Sequence, residues 1–192
     1  MKKVAALLLA VMMCLSMTAC NTIMLSESAT PVQFDDTEVL VGSTKVSTLL
    51  NAGFEVKASI GGDALPADTP LEKKSNYSGL MVFKGDVSYA MINVMTSSKN
   101  TTLADGVVGS ILATKDMDQI SDHLFLAGIS LPEMTTDAFK ENVKYPEVSA
   151  DGSSAYHSGS FPVNVEFDNG EVIRMNVMKK YSSEYVSKKI EQ

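Results

Sequence analysis

Phe161-Pro162-Val163-Asn164-Val165-Glu166-Phe167-Asp168-Asn169-Gly170-Glu171-Val172-Ile173-Arg174-Met175-Asn176-Val177-Met178 is the stretch on which the fold turns. Phe161, Val163, Val165 and Phe167 alternate with Pro162, Asn164 and Glu166, the period of a strand with one buried face. On the return run, Ile173, Met175 and Val177 alternate with Arg174 and Asn176. Opposed residues of an antiparallel pair must share a face. A two-residue Asn169-Gly170 turn would set Val165 against Arg174. A three-residue Asp168-Asn169-Gly170 loop sets Val165 against Ile173 and Val163 against Met175. The three-residue loop, with Gly170 left-handed, is therefore expected.

A related pair of runs lies upstream, Gly79 to Phe83 and Val87 to Met95, around Lys84-Gly85-Asp86. Here neither register yields a polar face. Leu80, Val82, Val87, Tyr89 and Met91 are apolar, and so are Met81, Phe83, Ala90, Ile92 and Val94. Both sides of this hairpin need cover. Either the rest of the chain supplies it, through the other half or the strand-like run Val107 to Ala113, or a partner does. The second alternative makes Tyr89, Met91, Met95 and Met81 a candidate partner surface, with adaptable methionines around an amphipathic tyrosine.

Each hairpin follows a short helical pattern. Val46, Leu49 and Leu50 form an i, i+3, i+4 stripe after Gly42-Ser43-Thr44, with Ser43 as the expected cap. Gly53 is placed to end that helix in the left-handed conformation, with Phe54 folding back. Leu131, Met134, Thr135, Ala138 and Phe139 form one helical face, and Ser130 and Glu133 have capping-box spacing. Loops are expected over 59–76 and 144–159. The halves also echo each other in residues: Asn93-Val94-Met95 recurs as Asn176-Val177-Met178. The expected fold class is α+β, with two similar halves. Each would be a short helix followed by an antiparallel β-hairpin, forming one or two small antiparallel sheets. The segments are 32–118 and 119–192. This helix-loop-hairpin pattern is similar to the small lipoproteins of outer-membrane assembly machinery and to the repeats of β-lactamase-inhibitor proteins. It also resembles uncharacterised lipoproteins of Firmicutes. The resemblance implies a non-enzymatic binding role and transfers no functional residue.

The start of the chain addresses location. Lys2 and Lys3 precede twelve uninterrupted apolar residues, Val4 to Leu15, which exit through Ser16-Met17-Thr18-Ala19-Cys20. At about 1.5 Å per residue such a run is too short for a bilayer core of about 30 Å. Basic start, short apolar run and small-residue exit are the layout of a secretory signal. Met17-Thr18-Ala19-Cys20 resembles the lipobox of bacterial lipoproteins, with Met17 where that family prefers Leu. The resemblance implies cleavage between Ala19 and Cys20 and a diacylglyceryl group on the Cys20 sulfur. Residues 1–19 would then be signal, and 20–31, rich in Ser, Thr and Ala, a lipidated tether. The chain has two cysteines, Cys14 and Cys20. Cys14 would leave with the signal and the lipid would consume Cys20, so no disulfide would form.

Composition excludes some roles. Removing Lys2 and Lys3 with the signal takes the formal charge from -7 to -9, which argues against nucleic acid. There is no P-loop, no Gly-x-Ser-x-Gly elbow and no Ser-x-x-Lys pair. Asp116, Asp118 and Asp122 miss the calcium-loop pattern, because Ser121 stands where Gly is needed. His123 and His157 lie in no ligand-spaced motif and read as surface or hydrogen-bonded histidines. No catalytic residue, metal or cofactor is therefore expected. The expected function is a lipid-anchored, extracytoplasmic binding or assembly protein. It would be held to a bacterial membrane through Cys20 and act on an envelope protein or cell-wall polymer. The alternatives are an inhibitor-like module and a surface hydrolase with a carboxylate site.

Overall fold

A computed structural model describes residues 28–190; the expected signal, Ala19, Cys20 and most of the expected tether lie outside the described residues. The chain runs β1 (Val32–Phe34), β2 (Thr37–Val39), α1 (Val46–Asn51), β3 (Glu55–Lys57), β4 (Pro70–Leu71), β5 (Ser75–Lys84), β6 (Val87–Met95), β7 (Thr101–Thr102) and β8 (Val107–Thr114). It continues through β9 (Leu124–Leu126), β10 (Ile129–Ser130), α2 (Thr136–Asn142), β11 (Glu147–Val148), β12 (Ser154–His157), β13 (Val163–Asp168), β14 (Glu171–Met178) and β15 (Val186–Lys188).

The fold corrects the expected α+β class. It is mostly antiparallel sheet, and α1 and α2 span only six and seven residues. The two expected hairpins form, but β8 joins them into one large sheet in the order β11-β12-β13-β14-β8-β6-β5. Both β3 and β15 pair with β5 at its far edge. A small second sheet, β10-β9-β1-β2, mixes strands from 32–118 with strands from 119–192, so the segments do not form separate halves. The expected loops also conceal β4, β11 and β12, strands of two to four residues that are too short to show a period.

Local signals explain the ends of both helices. Gly53 (φ 85°) and Phe54 close α1 through Gly53 N–H to Leu50 O (3.1 Å) and Phe54 N–H to Leu49 O (3.1 Å), a Schellman pattern. Lys45, and not Ser43, occupies the N-cap of α1, with no side-chain cap bond. The expected helix from Leu131 is split. Leu131–Glu133 is a single 3-10 turn, Met134 is extended, and the Thr135 hydroxyl accepts from Ala138 N–H (3.1 Å) to cap α2. Leu131, Met134 and Phe139 are all buried, so the apolar spacing is satisfied without one continuous helix.

The β13–β14 register is also corrected. Asp168 pairs with Glu171 and Phe167 with Val172, leaving a two-residue turn in which Asn169 (φ 51°) and Gly170 (φ 84°) are both left-handed. The register then shifts by one residue, so that Glu166 meets Arg174 and Val165 meets Met175. Ile173 is the extra residue of this β-bulge, which restores apolar partners without a three-residue loop.

Core and outer faces follow from that register. Val163, Val177, Ile111, Ile92 and Leu80 form one cross-strand row, and each is at most 1% exposed. They share a contiguous core with Val32, Phe34, Leu124 and Leu126 of the small sheet. Each such side chain contributes about 1.5–3 kcal/mol by leaving water. On the other face, Tyr156, Asn164, Asn176, Leu112, Met91 and Met81 form a second row across six strands. All of these but Met81 are half-buried.

Candidate functional site

A polar cluster that draws on three separate elements lies where the two sheets meet. Asp35 sits in the β1–β2 turn at φ 49°, an uncommon conformation for a residue with a Cβ. β9 pairs with β1, which brings His123, just before β9, alongside: Asp35 N–H donates to the His123 carbonyl (2.8 Å). Lys84 ends β5, and Tyr89 lies at a register shift in β6 opposite Val82 and Phe83. These three elements aim their polar groups at one carboxylate. Lys84 Nζ and Tyr89 OH donate to Asp35 Oδ2 (2.9 Å each), and His123 Nδ1 lies 3.0 Å from Oδ1.

An aromatic wall supports the cluster. The Tyr89 ring is stacked on Phe34 (6.0 Å between centroids) and meets Phe54 edge-on (5.0 Å). Lys84 Nζ lies 4.8 Å from the Phe54 centroid, a cation–π contact. Burial works to raise the Asp35 pKa, but bonds from Lys84 and Tyr89, the Lys84 charge and the His123 contact together hold it below the ordinary carboxylate value. Burial, followed by the bond to Asp35 and its charge, pushes the Tyr89 phenol up to about 12. Asp35 is thus a fixed anion and Tyr89 a fixed donor.

Outside this hub is an open concavity of about 680 Å³. Asp36, Asp122 and Gln33 line it with Asp35, Lys84 and His123, and Phe125 and Gly128 complete the wall. The arrangement provides oriented donors and an excess of carboxylates, suited to polar contacts. Among the described residues, no group of three or more His, Cys, Asp or Glu is placed to hold a metal ion.

Of this cluster the sequence pointed to Tyr89, for a different reason, and to His123 as a surface or hydrogen-bonded histidine, which is how it is placed. The expected surface of Tyr89, Met91, Met95 and Met81 does not form. Tyr89 faces the core at 3% exposed, Met81 and Met95 are buried, and Met91 is half-buried. The register shift at Tyr89 turns its ring inward onto Phe34, away from the Met81–Met91 face. Met95 is covered where residues 179–185 cross the sheet end: Lys179 N–H bonds to Gly109 O (2.9 Å), and Tyr185 and Lys179 flank Met95. His157 is buried, with its ring Nδ1 3.4 Å from the Tyr145 carbonyl. The roles of Asp35 and Lys84 were missed. The Asp35-Asp36 turn between apolar runs was their one local signal. Cys20 and Ala19 lie outside the described residues. No family model, curated protein or solved structure matches the chain.

Proposed function

We propose that this protein is a lipid-anchored, extracytoplasmic binding or assembly protein, tethered to a bacterial membrane through Cys20. The observation that carries the reading is the layout of residues 1–20: two lysines, twelve apolar residues, then Met17-Thr18-Ala19-Cys20. Cysteine usage agrees, since no cysteine follows Cys20. Two acyl chains give stable anchoring where one gives only marginal binding. The domain behind the tether is acidic, and the Asp35 hub fixes an open, polar concavity on it. Such a surface fits recognition of a partner at the membrane.

Metabolic labelling with an alkyne fatty acid tests the reading. The wild-type chain should take label and fractionate with membranes. Cys20→Ser should lose the label and accumulate as precursor. Normal labelling and processing of Cys20→Ser would sink the proposal.

A further inference from the structure

We infer that residues 179–190 are an exchangeable arm by which two copies of this chain join, the β15 of each pairing with the β5 of the other. The inference goes beyond the binding role above and does not depend on it. The arm leaves β14, crosses the ends of β8 and β6, and lays β15 on the far edge of β5. Its hold there is slight. Three residue pairs join β15 to β5: Val186 with Ser75, Ser187 with Asn76 and Lys188 with Tyr77. None of residues 179–190 is buried, and even Tyr185 and Ile190 are only half-buried, so opening returns little apolar area to water. The ion pairs Lys74–Glu184 and Lys188–Glu72 lie at the surface and add little.

The closed position also carries a cost. Asn76 is 5% exposed and donates through Nδ2 to Tyr181 OH (2.6 Å), but its Oδ1 is buried with no hydrogen-bond partner among the described residues. Opening the arm admits water to that acceptor. The connection is short as well. Four strand spacings separate β14 from β15, about 19 Å. The chain from Met178 to Val186 has Ser182–Tyr185 folded into a turn (Tyr185 N–H to Ser182 O, 3.3 Å) and supplies roughly 24 Å. Little slack remains, and short connections of this kind favour exchange between copies. The edge itself selects the occupant. Without β15, Ser75 to Tyr77 present unpaired backbone groups, since β3 covers β5 only from Met81 to Phe83. Every copy of the chain carries a strand that fits this edge, and exchange remakes the same contacts between copies.

The test uses two preparations of the wild-type protein in detergent, one of them labelled with heavy nitrogen. They are mixed at high concentration, and in a second arm unfolded in urea and refolded together. A zero-length carbodiimide links Lys74 to Glu184, whose side chains lie 2.9 Å apart. Mass spectrometry should find this link joining light to heavy peptides, in a fraction that rises with protein concentration toward one half. The link between Lys45 and Asp105 (2.7 Å) lies outside the arm and should join like isotopes only. A glycine spacer inserted between Ser182 and Ser183 slackens the connection and should lower the mixed fraction severalfold. Like-isotope Lys74–Glu184 links alone after joint refolding, or no such link at all, overturn the inference. So does a mixed fraction no higher than that of Lys45–Asp105, or one indifferent to the spacer.

Discussion

Replacing Asp35 with Ala should destabilise the domain by about 2–4 kcal/mol. Tyr89 is 3% exposed and its hydroxyl donates to Asp35 Oδ2 at 2.9 Å. Removing the carboxylate leaves that donor buried and unpaired, at about 1–3 kcal/mol. The contacts to Lys84 and His123 add little, about 0–1 kcal/mol each, because those side chains are 43% and 56% exposed. Ala must also hold φ near 49°, where a Cβ costs about 1–2 kcal/mol and Asp is better tolerated. For a domain of this size the loss lowers the melting temperature by roughly 5–15 °C. Urea unfolding with linear extrapolation measures it. A cycle with Tyr89→Phe should return a coupling of about 1–2 kcal/mol, since the second change removes the orphaned hydroxyl. Asp35→Gly should cost less than Asp35→Ala by relieving the backbone. A loss below about 0.5 kcal/mol for Asp35→Ala, or strict additivity with Tyr89→Phe, would refute the hub.

One further prediction concerns the same hub, and two concern separate turns. The Asp35 pKa is held below its ordinary value of 3.8, so its stabilisation is present above that pH and is lost as pH falls through the folded value. Asp35→Ala should therefore show a shallower acid limb in stability against pH. Gly170→Ala should cost about 1–2 kcal/mol by forcing a Cβ into φ 84°, read as a shifted urea midpoint at constant slope. Asp151 accepts from the Ser149 hydroxyl (2.7 Å) and from the Ser153 N–H and hydroxyl (3.0 and 2.8 Å), which lower its pKa to about 2. A carboxyl NMR titration should find that midpoint, and a midpoint near 3.8 would mean the turn is not formed.

What the sequence disclosed was local. The hairpins, the β8 run and the left-handed Gly53 and Gly170 each depend on a few neighbouring residues, and all are present. What it concealed depends on distant partners. Ile173 bulges because β14 must present Met175 and Val177 to the core while also pairing with β8, which a two-strand register argument omits. The split of the second helix was partly legible: Thr135 has cap chemistry, yet the apolar spacing of Leu131, Met134 and Phe139 fits a helix equally well. Joining of the two hairpins through β8 was invisible, because strand order leaves no periodic trace. The same is true of the Asp35 hub, whose contacts span 49, 54 and 88 residues of sequence.

Mass spectrometry of the N-terminus tests the proposed lipid anchor at Cys20 most directly. Protein purified from the membrane fraction should yield an N-terminal peptide beginning at Cys20, carrying the mass of a diacylglyceryl group. A peptide that begins elsewhere, or an unmodified Cys20 thiol in membrane-associated protein, would contradict the account.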